Sequence, residues 1–146
     1  MRTAGISNFQ PAYLDRIIAE TGIAPTVNQF ELHPYFTNQA VCAATARHGI
    51  AIEAHSPLGH DGKPLEDPTI TRIAAARGKS TAQIILRWHI QRGHIVIPKS
   101  ARPERMAENR AVFDFELTSE EIATIDGLDR GTAVRAPVER VARGVG

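Results

Sequence analysis

Cysteine is almost missing from this chain. The single thiol, Cys42, in 146 residues excludes an internal disulfide framework and any cysteine-built zinc cage, and is what a reducing cytosol allows. No apolar run approaches the ~18 residues of a membrane span, and the strand-like start lacks the longer apolar core of a signal peptide. No membrane partner and a cytoplasmic location are therefore expected. Charge of one sign is lacking too: 17 Lys and Arg stand against 16 Asp and Glu, a net charge of +1. That balance argues against a nucleic-acid partner held by a broad positive field. What is present, 42% apolar residues with 9 prolines and 11 glycines, describes a soluble globular protein of about one domain.

Strands and helices alternate along the chain. Residues 2–7 (RTAGIS) read as a strand, and after a turn at Asn8 and Phe9 comes a helix with Pro11 in its first turn and Gly22 just past its end. Residues 25–30 (PTVNQF) form a second strand, and Asn38 is placed to cap a helix that stops at Gly49. The third strand, residues 50–55 (IAIEAH), runs into a loop dense in Gly, Pro and Asp. Asp67, with Pro68 behind it, and then Ser80 cap two successive helices, the second placing Ala82, Ile85, Leu86 and His89 on adjoining turns of one face. A fourth strand spans residues 94–98, its helix RPERMAENRA follows, and Ser119 with Glu120 and Glu121 opens a last helix. Such alternation implies parallel pairing through right-handed crossovers.

No GxGxxG follows the first strand, and GISNF has the wrong spacing for that fingerprint. A small doubly wound sheet without a nucleotide stands open beside half of an eight-stranded barrel, which takes ~250 residues when whole. In either architecture the loops at the strand C-termini carry ligands. The run IVIPKSARPERMAENR, residues 95–110, is the most telling of them. Lys99, Ser100, Arg102 and Arg105 gather cations and a hydroxyl at a helix start, where backbone N–H groups favour anions and an Arg fork fits phosphate oxygens. Taken alone, its spacing reads first as an ordinary βα connection with a solvated basic face.

Four segments in order, GISNFQP (residues 5–11), PTVNQFELHPY (25–35), EAHSPLG (53–59) and VIPKSARPERMAENRAVFDFELTSEE (96–121), resemble the C-terminal half of the aldo-keto reductases. The resemblance covers residues 1–130 and leaves 131–146 as a tail. It implies an α/β fold, the C-terminal half of a (β/α)8 TIM barrel with four parallel strands alternating with helices. It also implies NADPH (or NADP) held in an extended pose across the C-terminal rim, and reduction of a small-molecule carbonyl substrate by hydride transfer. Carried onto this sequence, it makes Ser7, Asn8 and Gln29 the groups that hold the nicotinamide carboxamide, a task that suits side chains able both to donate and to accept. Ser56, Pro57, Leu58 and Gly59 match the loop over the pyrophosphate. Lys99, Ser100 and Arg105 match the adenosine 2′-phosphate site, with Glu108 and Asn109 at the adenine edge. His55 stands where relatives usually carry a Tyr or Trp stacked on the nicotinamide. An imidazole offers less surface and charges near about pH 6.5, so a looser cofactor site is expected. Glu53 shares the strand face of His55 and is a candidate partner for it, or part of a plain interior pair.

The resemblance also implies an absence. The family's acid Tyr, the Lys and Asp that tune it and the His beside the carbonyl belong to the half that is not matched, and neither Tyr13 nor Tyr35 stands in a comparable context. No catalytic residue and no metal site is assigned. His33, His48, His60, His89 and His94 read as loop or helix residues, and Trp88 as helix packing. Half of a closed parallel barrel has two open strand edges and an uncovered inner face. Self-association, complementation by an N-terminal half barrel, or membership of a longer enzyme would each resolve that. The chain alone is expected to be inactive, and a non-catalytic NADPH-binding or interaction module is the alternative.

Overall fold

The structure, a computed structural model, describes residues 3–131 and residue 133. The first residue of the expected opening strand and nearly all of the 131–146 tail lie outside the described residues. Strands β1 (Gly5–Ser7), β2 (Val27–Glu31), β3 (Ala51–His55) and β4 (Ile95–Val96) form one sheet in the order β1-β2-β3-β4, and every pair is parallel. Helix α1 (Pro11–Thr21) joins β1 to β2 and α2 (Gln39–Arg47) joins β2 to β3. The crossover from β3 to β4 holds two helices, α3 (Pro68–Arg77) and α4 (Thr81–Gln91), and α5 (Pro103–Arg110) and α6 (Ser119–Asp126) follow. Strand order that never reverses has no topological switch point, so this is barrel-type succession and not a doubly wound sheet.

Period two divides the strands between two faces. Asn28, Phe30, Ile52, Ala54 and Val96 point one way, and the helices cover them: Phe30, Leu32, Val41 and Ala54 form a buried cluster with Cys42, Ile52 and Val96 against it. Leu14, Ala44 and Ile50 make a second cluster under α1 and α2. The third and largest gathers Ile70, Ile73, Ile84, Ile85, Trp88 and Ile125 from α3, α4 and α6 with Leu117 from the segment just before α6, each apolar side chain contributing about 1.5–3 kcal/mol by leaving water. The opposite face carries Ser7, Gln29 and Glu53 side by side with Ile95. It is open: Ser7 is exposed, Gln29 and Glu53 half-buried, and Ile95 and Ile97 are 47% and 46% exposed.

Several elements depart from their expected limits. The fourth strand is two residues long instead of five, because β3 offers it only Glu53 and Ala54 as partners before turning away, and Pro98 has no N–H to give. Asn38 occupies the cap position of α2 but lies at φ +47 and makes no capping bond. A side-chain cap needs extended backbone there, and the left-handed turn swings the amide off the helix axis. Asp67 and Ser80 do cap: Asp67 accepts from the Thr69 N–H at 2.8 Å, and Ser80 forms a reciprocal box with Gln83. Thr118 and Glu121 make a second such box at α6, one residue ahead of the expected helix start at Ser119.

Gln83 does more than cap. Its amide nitrogen also donates to the Glu108 and Ala111 carbonyls at 3.2 and 2.9 Å, tying α4 to α5. Substituting Gln83→Ala should lower the unfolding free energy by about 1–3 kcal/mol, since the Ala111 carbonyl and half the cap lose a partner and the Glu108 carbonyl keeps only its bond from the Ala111 N–H. Urea titration measures the total, and faster amide exchange confined to α5 and the first turn of α4 would locate it; uniform acceleration across α1 as well would contradict the assignment.

Candidate functional site

Because the four strands run parallel, their C-terminal ends share one rim. At the end of β1, Asn8 takes a left-handed conformation, φ +60, which lets its N–H donate to the Gln29 carbonyl at 2.7 Å while its side-chain amide donates to Ser7 Oγ at 3.0 Å. Ser7, Asn8 and Gln29 are thus brought to one spot. Gln29 in turn donates from Nε2 to Glu53 Oε1 at 2.5 Å. A carboxylate at this distance must be met by a donor, so the amide orientation of Gln29 is fixed, with its oxygen turned away from Glu53. Glu53 therefore serves Gln29 directly. His55, on the same strand face, has its Nδ1 3.4 Å from Ser56 Oγ.

The loop after β3 begins with Ser56 at φ +51, and the Gly59 N–H returns to the Ser56 carbonyl at 2.9 Å, closing a tight turn. Glycine is required at its far corner: Gly59 lies at φ +77, and a Cβ there would come 2.6 Å from Pro64 Cδ. Between this turn and the end of β4 lies a cleft of about 370 Å³ lined by Ser56, Pro57, Leu58, Gly59, His60, Pro98 and Lys99. Lys99 thus stands across from the turn, whereas Arg105, Glu108 and Asn109 on α5 lie outside the cleft lining. Ser100 Oγ accepts from the Arg102 N–H at 3.2 Å and shapes its own turn. The ion pairs among the described residues are made by other cations, and neither Lys99 nor Arg105 takes part in them. The sequence reading missed His60 as a lining residue, although it directly follows the SPLG turn that marks the site.

A larger groove of about 670 Å³ runs along the helix-covered side, past Leu32, Cys42, Ile52, Trp88, Arg92 and His94. It lacks reactive chemistry of its own. Burial pushes the Cys42 thiol up to about 11, so it stays protonated.

The Aldo/keto reductase family model matches residues 1–130. The chain belongs to the aldo/keto reductase family. An aldo-keto reductase of Mycolicibacterium smegmatis is 53% identical to it over 131 residues, a match covering 90% of this chain and 47% of that protein. Among solved structures, a Gox0644 mutant in complex with NADPH superimposes with a TM-score of 0.89 at 41% identity, over 94% of this chain and 51% of that one. A Bombyx mori aldo-keto reductase in complex with NADP gives 0.84 at 38% identity, over 92% of this chain and 47% of that one. The chain thus spans about half the length of the aldo/keto reductases it matches, and its four parallel strands with their helices correspond to half of such a barrel.

In this aldo/keto reductase chain, two histidines behind the rim are held uncharged. Burial pushes His89 down to about 3, helped by the neighbouring His94. Burial and then Arg92 push His94 down to about 4. Unfolded, both regain a pKa near about 6.5. The unfolded chain then binds more protons between about pH 6.5 and 4, so the stability these rings contribute is complete above that window and is lost as pH falls through it. The urea midpoint should therefore fall between pH 7 and about 4.5. A double His89→Gln, His94→Gln variant should show a flatter profile, and an unchanged slope would count against the two rings as its source.

Proposed function

We propose that this chain is the cofactor-holding half of an NADPH-dependent aldo-keto reductase acting on a small-molecule carbonyl. The observation that carries the reading is the rim cleft in which the Ser56–Gly59 turn faces Lys99, together with the hydrogen-bonded cluster of Ser7, Asn8 and Gln29 on the same rim. The donor set fits the group. Gln29, its amide orientation held by Glu53, presents an oxygen to the carboxamide N–H2, and Ser7 and Asn8 supply the complementary donors. The turn offers a hydroxyl and backbone N–H groups to the pyrophosphate. Lys99 and Ser100, with Arg105 from the first turn of α5, receive the adenosine 2′-phosphate, where cations not spent on ion pairs are what a phosphate needs. Glu108 and Asn109, half-buried on the same helix, take the adenine edge. His55 lies under the nicotinamide as a smaller platform than an indole or phenol. NADPH, when bound, supplies the hydride.

Among the described residues, neither tyrosine is placed to supply the proton needed by the resulting alkoxide. Tyr35 is buried, its hydroxyl donates to Asp67 at 2.7 Å, and burial with that bond pushes its pKa up to about 12. Tyr13 is 46% exposed on α1. Neither is suited to general-acid work at the rim, and we read the chain alone as binding NADPH without turnover. Pairing with an N-terminal half barrel, with a second copy, or within a longer enzyme would cover the open sheet face and both edge strands.

Titration of cofactor fluorescence tests the reading. NADPH should bind more tightly than NADH by roughly two to four decades if Lys99 and Arg105 each contribute about 1.5–3 kcal/mol, and the Lys99→Ala, Arg105→Ala pair should erase the preference. Equal affinity for the two cofactors in the unsubstituted chain would refute the phosphate assignment. Carbonyl-dependent NADPH oxidation by the purified chain would refute the missing acid, and NADPH bound without oxidation is the result expected. A His55→Tyr substitution should tighten NADPH binding several-fold by enlarging the stacked surface; weaker binding would show that the imidazole is the better fit.

A further inference from the structure

Behind the Ser56–Gly59 turn stands a contact that the cofactor reading does not use. His89, on the last turns of α4, is 0% exposed, and its Nε2 lies 3.3 Å from the Pro57 carbonyl oxygen. Its Nδ1 lies 3.3 Å from Nδ1 of His94, which immediately precedes β4. The proton positions follow from the partners. A carbonyl only accepts, so His89 Nε2 carries the hydrogen; the uncharged ring then has a bare Nδ1, and the hydrogen between the rings belongs to His94 Nδ1. Trp88 packs against both rings, with centroid separations of 4.5 and 6.4 Å, so the fully buried His89 ring cannot turn without disturbing the largest core cluster, while half-buried His94 borders the groove.

The turn needs such a hold. Ser56 sits in the left-handed region without being glycine, a conformation that persists only when its surroundings enforce it. Pro57 has no N–H, so its carbonyl is the only backbone hydrogen-bonding group it offers to an anchor.

We infer that His89 is a positioning residue for the phosphate-facing turn: it donates to the Pro57 carbonyl from behind, and His94 fixes the tautomer that makes this donation possible. The inference rests on the proposed cofactor reading for its functional consequence, and on geometry alone for the relay itself. A proton added to His89 Nδ1 would set two donors face to face unless His94 moved its own hydrogen to Nε2, so protonation would have to rearrange the pair behind the turn. The charged and titratable groups around the pair come from three further places: Arg92 at the end of α4, His33 in the loop after β2 and Asp126 on α6. Arg92 opposes protonation of both rings, His33 opposes it at His89, and Asp126 favours it at His94. Asp126 is already engaged, accepting from Trp88 Nε1 at 2.8 Å and from Arg92 at 2.6 Å.

Nitrogen-15 NMR of the imidazoles in the full chain reads the relay directly. The expected result is a His89 ring protonated at Nε2 and a His94 ring protonated at Nδ1, neither titrating between about pH 5 and 8. The opposite tautomer at His89 would overturn the proposal without any substitution. Amide exchange at Gly59, whose N–H closes the turn, reads the consequence. It should accelerate about tenfold in His89→Leu while α1 amides stay unchanged, and return toward the wild-type rate in His89→Gln, whose Nε2 can still reach the carbonyl. Unaltered Gly59 exchange in a folded His89→Leu protein would overturn it, as would equal acceleration in the Leu and Gln variants. NADPH affinity should follow the same order of variants. If the unsubstituted chain binds no NADPH, the cofactor reading falls, while the tautomers and the Gly59 exchange still decide the relay.

Discussion

A helix covered on every side that still carries polar side chains has to find a partner for each of them, and this requirement governs how α4 sits in the fold. Gln83 bonds the Glu108 and Ala111 carbonyls, Arg87 the Val112 carbonyl, and Trp88 the Asp126 carboxylate. Gln91 exchanges two bonds with the Leu117 backbone, much as a neighbouring strand would. Each group left without a partner would cost about 1–3 kcal/mol. Rotating α4 by one residue, about 100°, would strand most of them together. The hydrophobic cluster beneath sets the depth of the helix, and the polar ring around it sets its angle. Residues 108–117, the start of α6 and the turn at Pro57 all take their positions from that angle.

The candidate site inherits two kinds of support. Its Ser7, Asn8 and Gln29 end is made of strand termini locked to one another by sheet register and by the Gln29–Glu53 bond. Its Ser56 to Lys99 end is made of a turn and a chain segment that meet across a cleft. The first is rigid because the sheet is rigid. The second is only as well placed as the contacts behind it. Polar residues also occupy the sheet face that the helices leave open, so the surface that would line the inside of a closed barrel is Ser7, Gln29 and Glu53 near the rim, with apolar Val27 and Ala51 one step below them and Ile95 and Ile97 on the β4 side.

What could be read from the sequence follows the range of the forces involved. Asp67 and Ser80 were legible as caps because capping is settled within four residues. Asn38 was misread because its backbone angle depends on how the preceding loop is held, with the Thr37 hydroxyl bonded to Asp129 far along the chain. The length of β4 was illegible because a strand ends where its neighbour stops offering partners. Four rim loops were legible as a resemblance carried by motif, but His89 read as an ordinary helix residue and nothing marked Gln83 or Gln91. Their partners lie 25 to 32 positions away, and no local spacing encodes such pairs.

Helix α5 buries none of its residues, and Met106 on it is 55% exposed. Gln83 ties its last turn to the body through the Glu108 carbonyl and, just past its end, the Ala111 carbonyl. The segment proposed to distinguish the two nicotinamide cofactors is therefore nearly free of any duty to the core. Under that proposal, substitutions along it would change coenzyme choice at little cost to folding, so that the preference could be retuned one residue at a time without first rebuilding the protein around it.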